Sequence, residues 1–187
     1  MGPPWDIGRA QADVDALIAA GELRGRVLDV GTGPGHNAIA VARAGAQVFG
    51  IDLVPAAVDG ARAAAAAAGV EVELAVADAL DLASLGRRFD AVVDSGTFHV
   101  FSDADRLRYA SSLAAVLEPG GALHLLCFSD QGPPRPGPRR IARAELEATF
   151  TAPSFEIAKI RATRFVTRAP DGGAPAWLVK VVRLGSS

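Results

Sequence analysis

A three-layer α/β sandwich around a mainly parallel sheet is the fold class that this chain predicts. Three observations predict it. Short apolar runs alternate with helix-patterned segments along the first two thirds of the 187 residues, the order from which parallel sheets are built. One run, residues 122–128, is apolar throughout apart from His124, as a strand covered on both faces must be. The last third holds two strand-like runs joined by Pro170-Asp171-Gly172-Gly173, a link short enough to permit only an antiparallel pair.

Residues 1–8 carry Gly2, Pro3, Pro4 and Trp5 and form an extended lead-in rather than a helix. Ile7, Ala10, Val14, Leu17 and Ile18 then recur at helical spacing until Gly21. Residues 26–30 are strand one, 37–43 a helix and 46–51 strand two. Pro55 suits a helical first turn, 58–68 is rich in the strong helix former alanine, and Gly69 closes that helix. Residues 70–76 give strand three and 90–94 strand four. Ser102-Asp103-Ala104-Asp105 resembles a capping box for the helix bearing Leu107, Ala110, Leu113, Ala114 and Leu117. Pro119-Gly120-Gly121 ends it, and residues 122–128 are strand five. Gly and Pro crowd 132–138, a loop, before a short helix at 143–150. The hairpin strands are 155–166 and 177–184. The apolar parity of the first shifts between Ile157 and Ile160, which predicts a bulge.

One domain, residues 1–187, follows from the length, with no internal repeat and no second core. A formal charge of -2 and scattered basic residues argue against nucleic acid as a partner. The single cysteine, Cys127, excludes an internal disulfide and a cysteine-rich metal site. No apolar run reaches membrane-spanning length and residues 1–25 do not read as a signal peptide. The expectation is a cytoplasmic protein, monomer or homodimer, away from the membrane.

The chemistry concentrates in Val27-Leu28-Asp29-Val30-Gly31-Thr32-Gly33-Pro34-Gly35 and Val48-Phe49-Gly50-Ile51-Asp52. A strand, a turn almost free of side chains and a helix start let a ligand approach free backbone N–H groups. An acid ending the next strand is placed to receive a ribose diol. The turn lacks the lysine and hydroxyl of a phosphate loop, and His36 stands where a dinucleotide fingerprint needs its third glycine. A nucleoside-containing cofactor of another kind is left.

Asp29-Val30-Gly31-Thr32-Gly33-Pro34-Gly35, Ile51-Asp52-Leu53, Ala77-Asp78-Ala79, Phe89-Asp90-Ala91-Val92-Val93-Asp94 and Leu117-Glu118-Pro119-Gly120-Gly121-Ala122-Leu123 occur in order over most of residues 26–128. Together they resemble the motifs of the class I S-adenosylmethionine-dependent methyltransferases. Pro4-Trp5-Asp6-Ile7-Gly8-Arg9 and Asp94-Ser95-Gly96-Thr97-Phe98-His99-Val100-Phe101 look like the small bacterial thiopurine and thiol methyltransferases. They look most like the mycobacterial-type enzymes that methylate heterocyclic toxins such as hydroxyquinolones. The resemblance implies a Rossmann-like seven-stranded sheet of order 3-2-1-4-5-7-6.

It also implies S-adenosylmethionine as cofactor, held by Asp29, Gly31, Thr32, Gly33, Gly35, Asp52, Leu53, Asp78, Ala79, Asp94 and Ser95. Asp29 is expected near the ammonium, Asp52 on the ribose, Leu53 on the adenine face, and Asp78 and Ala79 at its amine edge. Residues 1–21 are expected to cover cofactor and substrate, with Trp5 over the sulfonium. His99 follows strand four, where open α/β sheets bind ligands, and its ordinary pKa suits a general base. Phe98, Phe101 and Phe128 are candidate walls for an aromatic acceptor. Residues 129–142 are a candidate flap, where Arg139 and Arg140 could meet an anionic acceptor. His36 reads as a structural or cofactor-side group and His124 as a hydrogen-bonded core residue. The implied activity is methyl transfer to O, N or S of a small aromatic or heterocyclic molecule, as in detoxification. Alternatives are a thiol, selenol or halide methyltransferase and a cofactor-binding protein without catalysis.

Overall fold

The structure is a computed structural model that describes residues 3–133, 137–170 and 172–185. Its strands are β1 (Arg26–Val30), β2 (Gln47–Asp52), β3 (Glu73–Val76), β4 (Phe89–Ser95), β5 (Leu117–Phe128), β6 (Phe155–Val166) and β7 (Gly173–Arg183). They form one sheet of order β3-β2-β1-β4-β5-β7-β6, as the resemblance implies. The first five strands are mutually parallel, and β7 runs antiparallel between β5 and β6.

Strand parity makes the two covering layers. Leu28, Val30, Val92, Leu123 and Leu125 face Tyr109, Leu113 and Val116 of α4 (Asp103–Val116) and Leu146 of α5 (Arg143–Thr149). Val27, Val48, Ala91 and Val93 face Val14 of α1 (Ala12–Ala19) and Ala38 and Val41 of α2 (His36–Arg43). The alanine-rich α3 (Pro55–Ala68) lies over Leu74 of β3. Truncating a fully buried leucine in either layer to alanine costs about 2–5 kcal/mol.

Most element boundaries match the sequence expectation, and the departures have local causes. Strand β3 starts at Glu73 rather than 70, and a 3-10 turn over Ala79–Leu85 follows it. Asp78 starts that turn by accepting from the Leu80 N–H at 2.8 Å. Helix α4 ends at Val116, so Leu117 is already in β5. Pro119-Gly120-Gly121 therefore lies within a strand that is bulged against β4 between Phe89 and Ala91. A Cβ on Gly121 would meet the Asp90 and Glu118 carbonyls at 2.9 Å. Strand β7 begins at Gly173, earlier than the apolar run suggests. The register of β6 shifts between Ile157 and Lys159, where the apolar parity changes. Asp171 of the hairpin link lies outside the described residues.

Parallel register brings Val30, Ile51 and Asp94 level at one edge of the sheet, with Leu125 beside Asp94. The turns after β1, β2 and β4 leave there together. The hairpin then reaches back to the amino-terminal segment. The Pro4 carbonyl accepts from the Arg168 N–H at 2.8 Å, and the Pro3 carbonyl from its guanidinium at 2.9 Å.

Candidate active site

At that edge lies a cavity of about 350 Å³. Its wall combines Gly31 and Gly33 after β1, Asp52 and Leu53 after β2, Asp78 and Ala79 after β3, and Ser95 after β4. The far end is aromatic: His99, Phe101, Phe128 and Phe165, with Val100 and Pro138. A smaller recess of about 50 Å³ adjoins it at Trp5, Gly31, Gly33, Ser95 and Phe165, and adds Arg9, Gln11 and His36.

The glycine turn is shaped for backbone approach. Gly31 and Gly33 have φ of 68° and 51°. A Cβ on Gly31 would meet the Thr97 Oγ1 at 2.0 Å, because that hydroxyl reaches across to donate to the Val30 carbonyl at 3.0 Å. Above Gly33 the nearest atoms are the Trp5 ring carbons, 3.6 Å from an ideal Cβ. Trp5 is 47% exposed, so it roofs the opening rather than packing into the core. Gly35 faces α3 instead, where a Cβ would meet that of Ala61 at 3.0 Å, and it lies outside both cavity walls.

Asp52 is pre-set by the backbone: its Oδ2 accepts from the Gly33 N–H at 3.0 Å and its Oδ1 from the Val54 N–H at 2.9 Å. Each carboxylate oxygen keeps a second acceptor site for a ligand hydroxyl. Leu53 is 67% exposed, an apolar face open to a flat ring. The set fits an adenosyl cofactor. Asp52 would hold the ribose, Leu53 and Asp78 the base, and the glycine turn the amino-acid portion.

Two acids that the sequence suggests for the cofactor are buried below the cavity. The Asp29 carboxylate accepts from the Thr32 hydroxyl at 2.7 Å, and burial pushes its pKa up to about 6. Asp94 accepts from the Tyr109 hydroxyl at 2.9 Å and the Thr97 N–H at 2.8 Å, and burial pushes it up to about 7. Both stand outside the walls and brace the two turns from beneath. Thr32 spends its hydroxyl on Asp29 while lining the smaller recess.

The acceptor end also departs from expectation in part. Phe98 is fully buried against Tyr109 and Phe150, since its 3-10 turn points it into the core. Arg139 is drawn away by Asp103, at 2.5 Å, and by Glu145. Its neighbour Arg140 instead lies 4.4 Å over the Phe128 ring. His99 lines the cavity, but its Nδ1 accepts from the Phe128 N–H at 3.2 Å. Burial, with Arg140 adding to it, pulls its pKa down to about 4, far from that of a neutral-pH base. Residues 134–136 of the expected flap lie outside the described residues, while Pro138 touches the cavity.

Phe165 is a wall residue that sequence patterning missed. It sits at the end of β6, distant in sequence from every motif, 5.0 Å from the Phe128 ring centroid. His36 contacts the Asp6 carboxylate at 3.0 Å and so helps anchor the lead-in below Trp5. His124 is buried within β5 as expected; its Nε2 makes no hydrogen bond, and burial pulls its pKa down to about 4. Among the described residues no cluster of His, Cys, Asp and Glu could hold a metal, and no helix is long and apolar enough to cross a membrane.

Residues 27–121 match the methyltransferase domain family. A 2-heptyl-1-hydroxyquinolin-4(1H)-one methyltransferase from Mycobacteroides abscessus is 33% identical over 147 residues, covering 77% of this chain and 65% of that one. The chain spans between half and two thirds of the length of such relatives. A solved structure concerned with converting a disulfide bond into a thioacetal group during echinomycin biosynthesis superposes with a TM-score of 0.88 at 35% identity. That match covers 99% of this chain and 87% of the other. Magnesium protoporphyrin IX methyltransferase from Synechocystis PCC 6803, solved with S-adenosylmethionine bound, gives 0.70 at 26% identity, covering 92% and 76%.

Proposed function

The chain belongs to the class I S-adenosylmethionine-dependent methyltransferases, and from that premise we propose that its acceptor is a small aromatic or heterocyclic molecule. The nucleophile would be O, N or S, as in a hydroxyquinolone-type toxin whose methylation detoxifies it. The observation that carries this reading is the aromatic part of the cavity, where Phe101, Phe128 and Phe165 line the same space as Gly31 and Gly33 of the glycine turn. Aromatic walls with few polar groups suit a flat apolar ligand. The similarity to a hydroxyquinolone methyltransferase supports the same class.

Bound S-adenosylmethionine supplies an already activated methyl group. The protein's share is to align the acceptor with it and exclude water, which contributes much of the acceleration. Trp5 and the 1–21 segment would close the cofactor side. Ser95 would sit near the sulfur, and Pro138 with the 129–142 flap would cover the acceptor.

Turnover with a panel of hydroxyquinolones, phenols, thiols and iodide, following demethylated cofactor, tests the reading. Hydroxyquinolones and acidic phenols are expected to lead the panel, and Asp52→Ala to weaken cofactor binding about 10- to 100-fold. Preference for iodide or alkyl thiols would favour a halide or thiol methyltransferase. If no acceptor consumed the cofactor while Asp52→Ala abolished its binding, the protein would be a non-catalytic binder.

A further inference from the structure

The His99 imidazole is fixed in one tautomer by the chain's own backbone. The Phe128 N–H donates to Nδ1 at 3.2 Å, so the neutral ring carries its proton on Nε2. No hydrogen bond from the described residues ends on that Nε2. The ring stacks on Phe128 at 4.5 Å and 13° and meets Phe165 edge-on at 6.2 Å, a desolvated setting within the cavity wall. Arg140 places its guanidinium over the same Phe128 ring and is the charged group that acts on the imidazole. From β4, β5 and β6 the neighbouring cavity groups are Ser95, Phe128 and Phe165, all uncharged.

We propose that His99 is a hydrogen-bond donor to the acceptor rather than its base, and that the site takes the acceptor as an anion. The class is the conjugate base of an acidic heteroaromatic or phenolic hydroxyl, or of a thiol. This rests on the small-molecule methyltransferase reading above.

A base at His99 would need a free ring lone pair. On Nδ1, a proton would oppose the Phe128 N–H; on Nε2, one is already present. The low basicity of the buried ring points the same way. Among the described residues of the main cavity wall no other group replaces it. The carboxylates in the wall, Asp52 and Asp78, each accept backbone N–H bonds at the cofactor end, and the Thr97 hydroxyl donates to Val30. A bound anion meets the Nε2–H in a low-dielectric slot, with Arg140 behind Phe128 adding positive potential.

The acceptor leaves its proton in solvent before it enters. Its lone pair then bonds to the methyl carbon while the carbon–sulfur bond breaks and that electron pair returns to sulfur. Anion and sulfonium become two neutral products, and no proton moves in the step.

4-Nitrophenol tests this, because its ionised form absorbs visible light. Bound to the protein with demethylated cofactor, it should show a phenolate-to-phenol ratio at least about tenfold above that in buffer at the same pH. His99→Ala should abolish that enrichment. His99→Gln, whose amide can both accept from Phe128 and donate onward, should retain most of it and controls for folding. In turnover, the pH inflection of kcat/KM should follow the acidity of each phenol in a graded nitrophenol series. His99→Ala should lower the plateau about 10- to 100-fold without moving the inflection. A bound phenol that stays neutral, no nitrophenol binding at all, or one inflection shared by all acceptors and lost in His99→Ala would overturn the proposal. Cofactor binding without methyl transfer to any acceptor would instead overturn the functional reading.

Discussion

The side-chain amide of Gln11 closes on both polar groups of the Val166 peptide, 155 residues away. Its Nε2 donates to the carbonyl at 3.0 Å and its Oε1 accepts from the N–H at 2.9 Å. The start of α1 is thereby fastened to the end of β6, next to Phe165 and close to the Pro4–Arg168 contact. Gln11→Ala strands two backbone groups in a half-buried setting and is expected to lower stability by about 1 kcal/mol. Because the segment it holds carries Trp5, affinity for demethylated cofactor should also fall, by several-fold. Denaturant melts and titration calorimetry read the two effects separately.

Trp5 offers an optical readout of closure. The other tryptophan, Trp177, is buried and donates its indole N–H to the Ile141 carbonyl at 2.9 Å, so it should be indifferent to ligand. Adding demethylated cofactor is expected to change the fluorescence of the wild-type protein and not that of Trp5→Phe. Trp5→Ala should weaken cofactor binding while leaving the melting temperature within a few degrees, as expected for a roof rather than a core residue.

Gly31 and Thr97 form a testable pair. Gly31→Ala combines a φ of 68° with a methyl group 2.0 Å from the Thr97 hydroxyl, and should destabilise by about 2–4 kcal/mol. Removing that hydroxyl with Thr97→Ala should recover part of the loss, since the 2.0 Å clash disappears while the tight 3.2 Å approach of the residue 97 Cβ and the backbone strain remain. A double-mutant cycle by chemical denaturation gives the coupling, with a non-zero value expected.

The acids beneath the site and the two buried histidines push the stability in opposite directions as pH changes. Asp94 and Asp29 have native pKa values raised to about 7 and about 6 from an ordinary 3.8. Between about pH 4 and pH 7 the two acids hold protons in the native protein that they release in the unfolded chain. His99 and His124, lowered to about 4 from an ordinary 6.5, take up protons only in the unfolded chain, so the two slopes largely cancel. Asp94→Asn should tip this balance toward the histidines, so that stability rises with pH through the window where the wild type is nearly flat. Tyr109→Phe, which strips Asp94 of its hydroxyl donor, should cost about 1–3 kcal/mol. Thermal melts across the window measure both.

The sheet was legible because each strand is a bounded apolar run, and because the parity change in β6 marks its bulge. The cofactor end was legible for the same local reason: Gly31, Gly33, Asp52, Leu53, Asp78 and Ala79 lie just past strand ends. Strand-end position alone does not say whether an acid faces the ligand or the layer below. Asp29 and Asp94 fall on the buried side because Thr32 and Tyr109 supply hydroxyls there. One-residue choices were also beyond reach. Arg139 is captured by Asp103 and Glu145 and Arg140 by Phe128, and those partners meet only through tertiary packing. Leu117 read as helix because its apolar spacing continues that of α4, yet the bulge at Gly121 carries β5 back to it.

Strand β6 forms one margin of the sheet, while the opposite margin, β3, is only four residues long. Along β6, Glu156, Lys159, Arg161 and Arg164 interrupt the apolar positions, and the register shift at Ile157 bends the strand. A foreign strand adding there would have to desolvate those charges and follow that bend, both unfavourable. The hairpin that completes the aromatic slot with Phe165 thus also guards the molecule against end-to-end polymerisation through its own hydrogen-bonding edge.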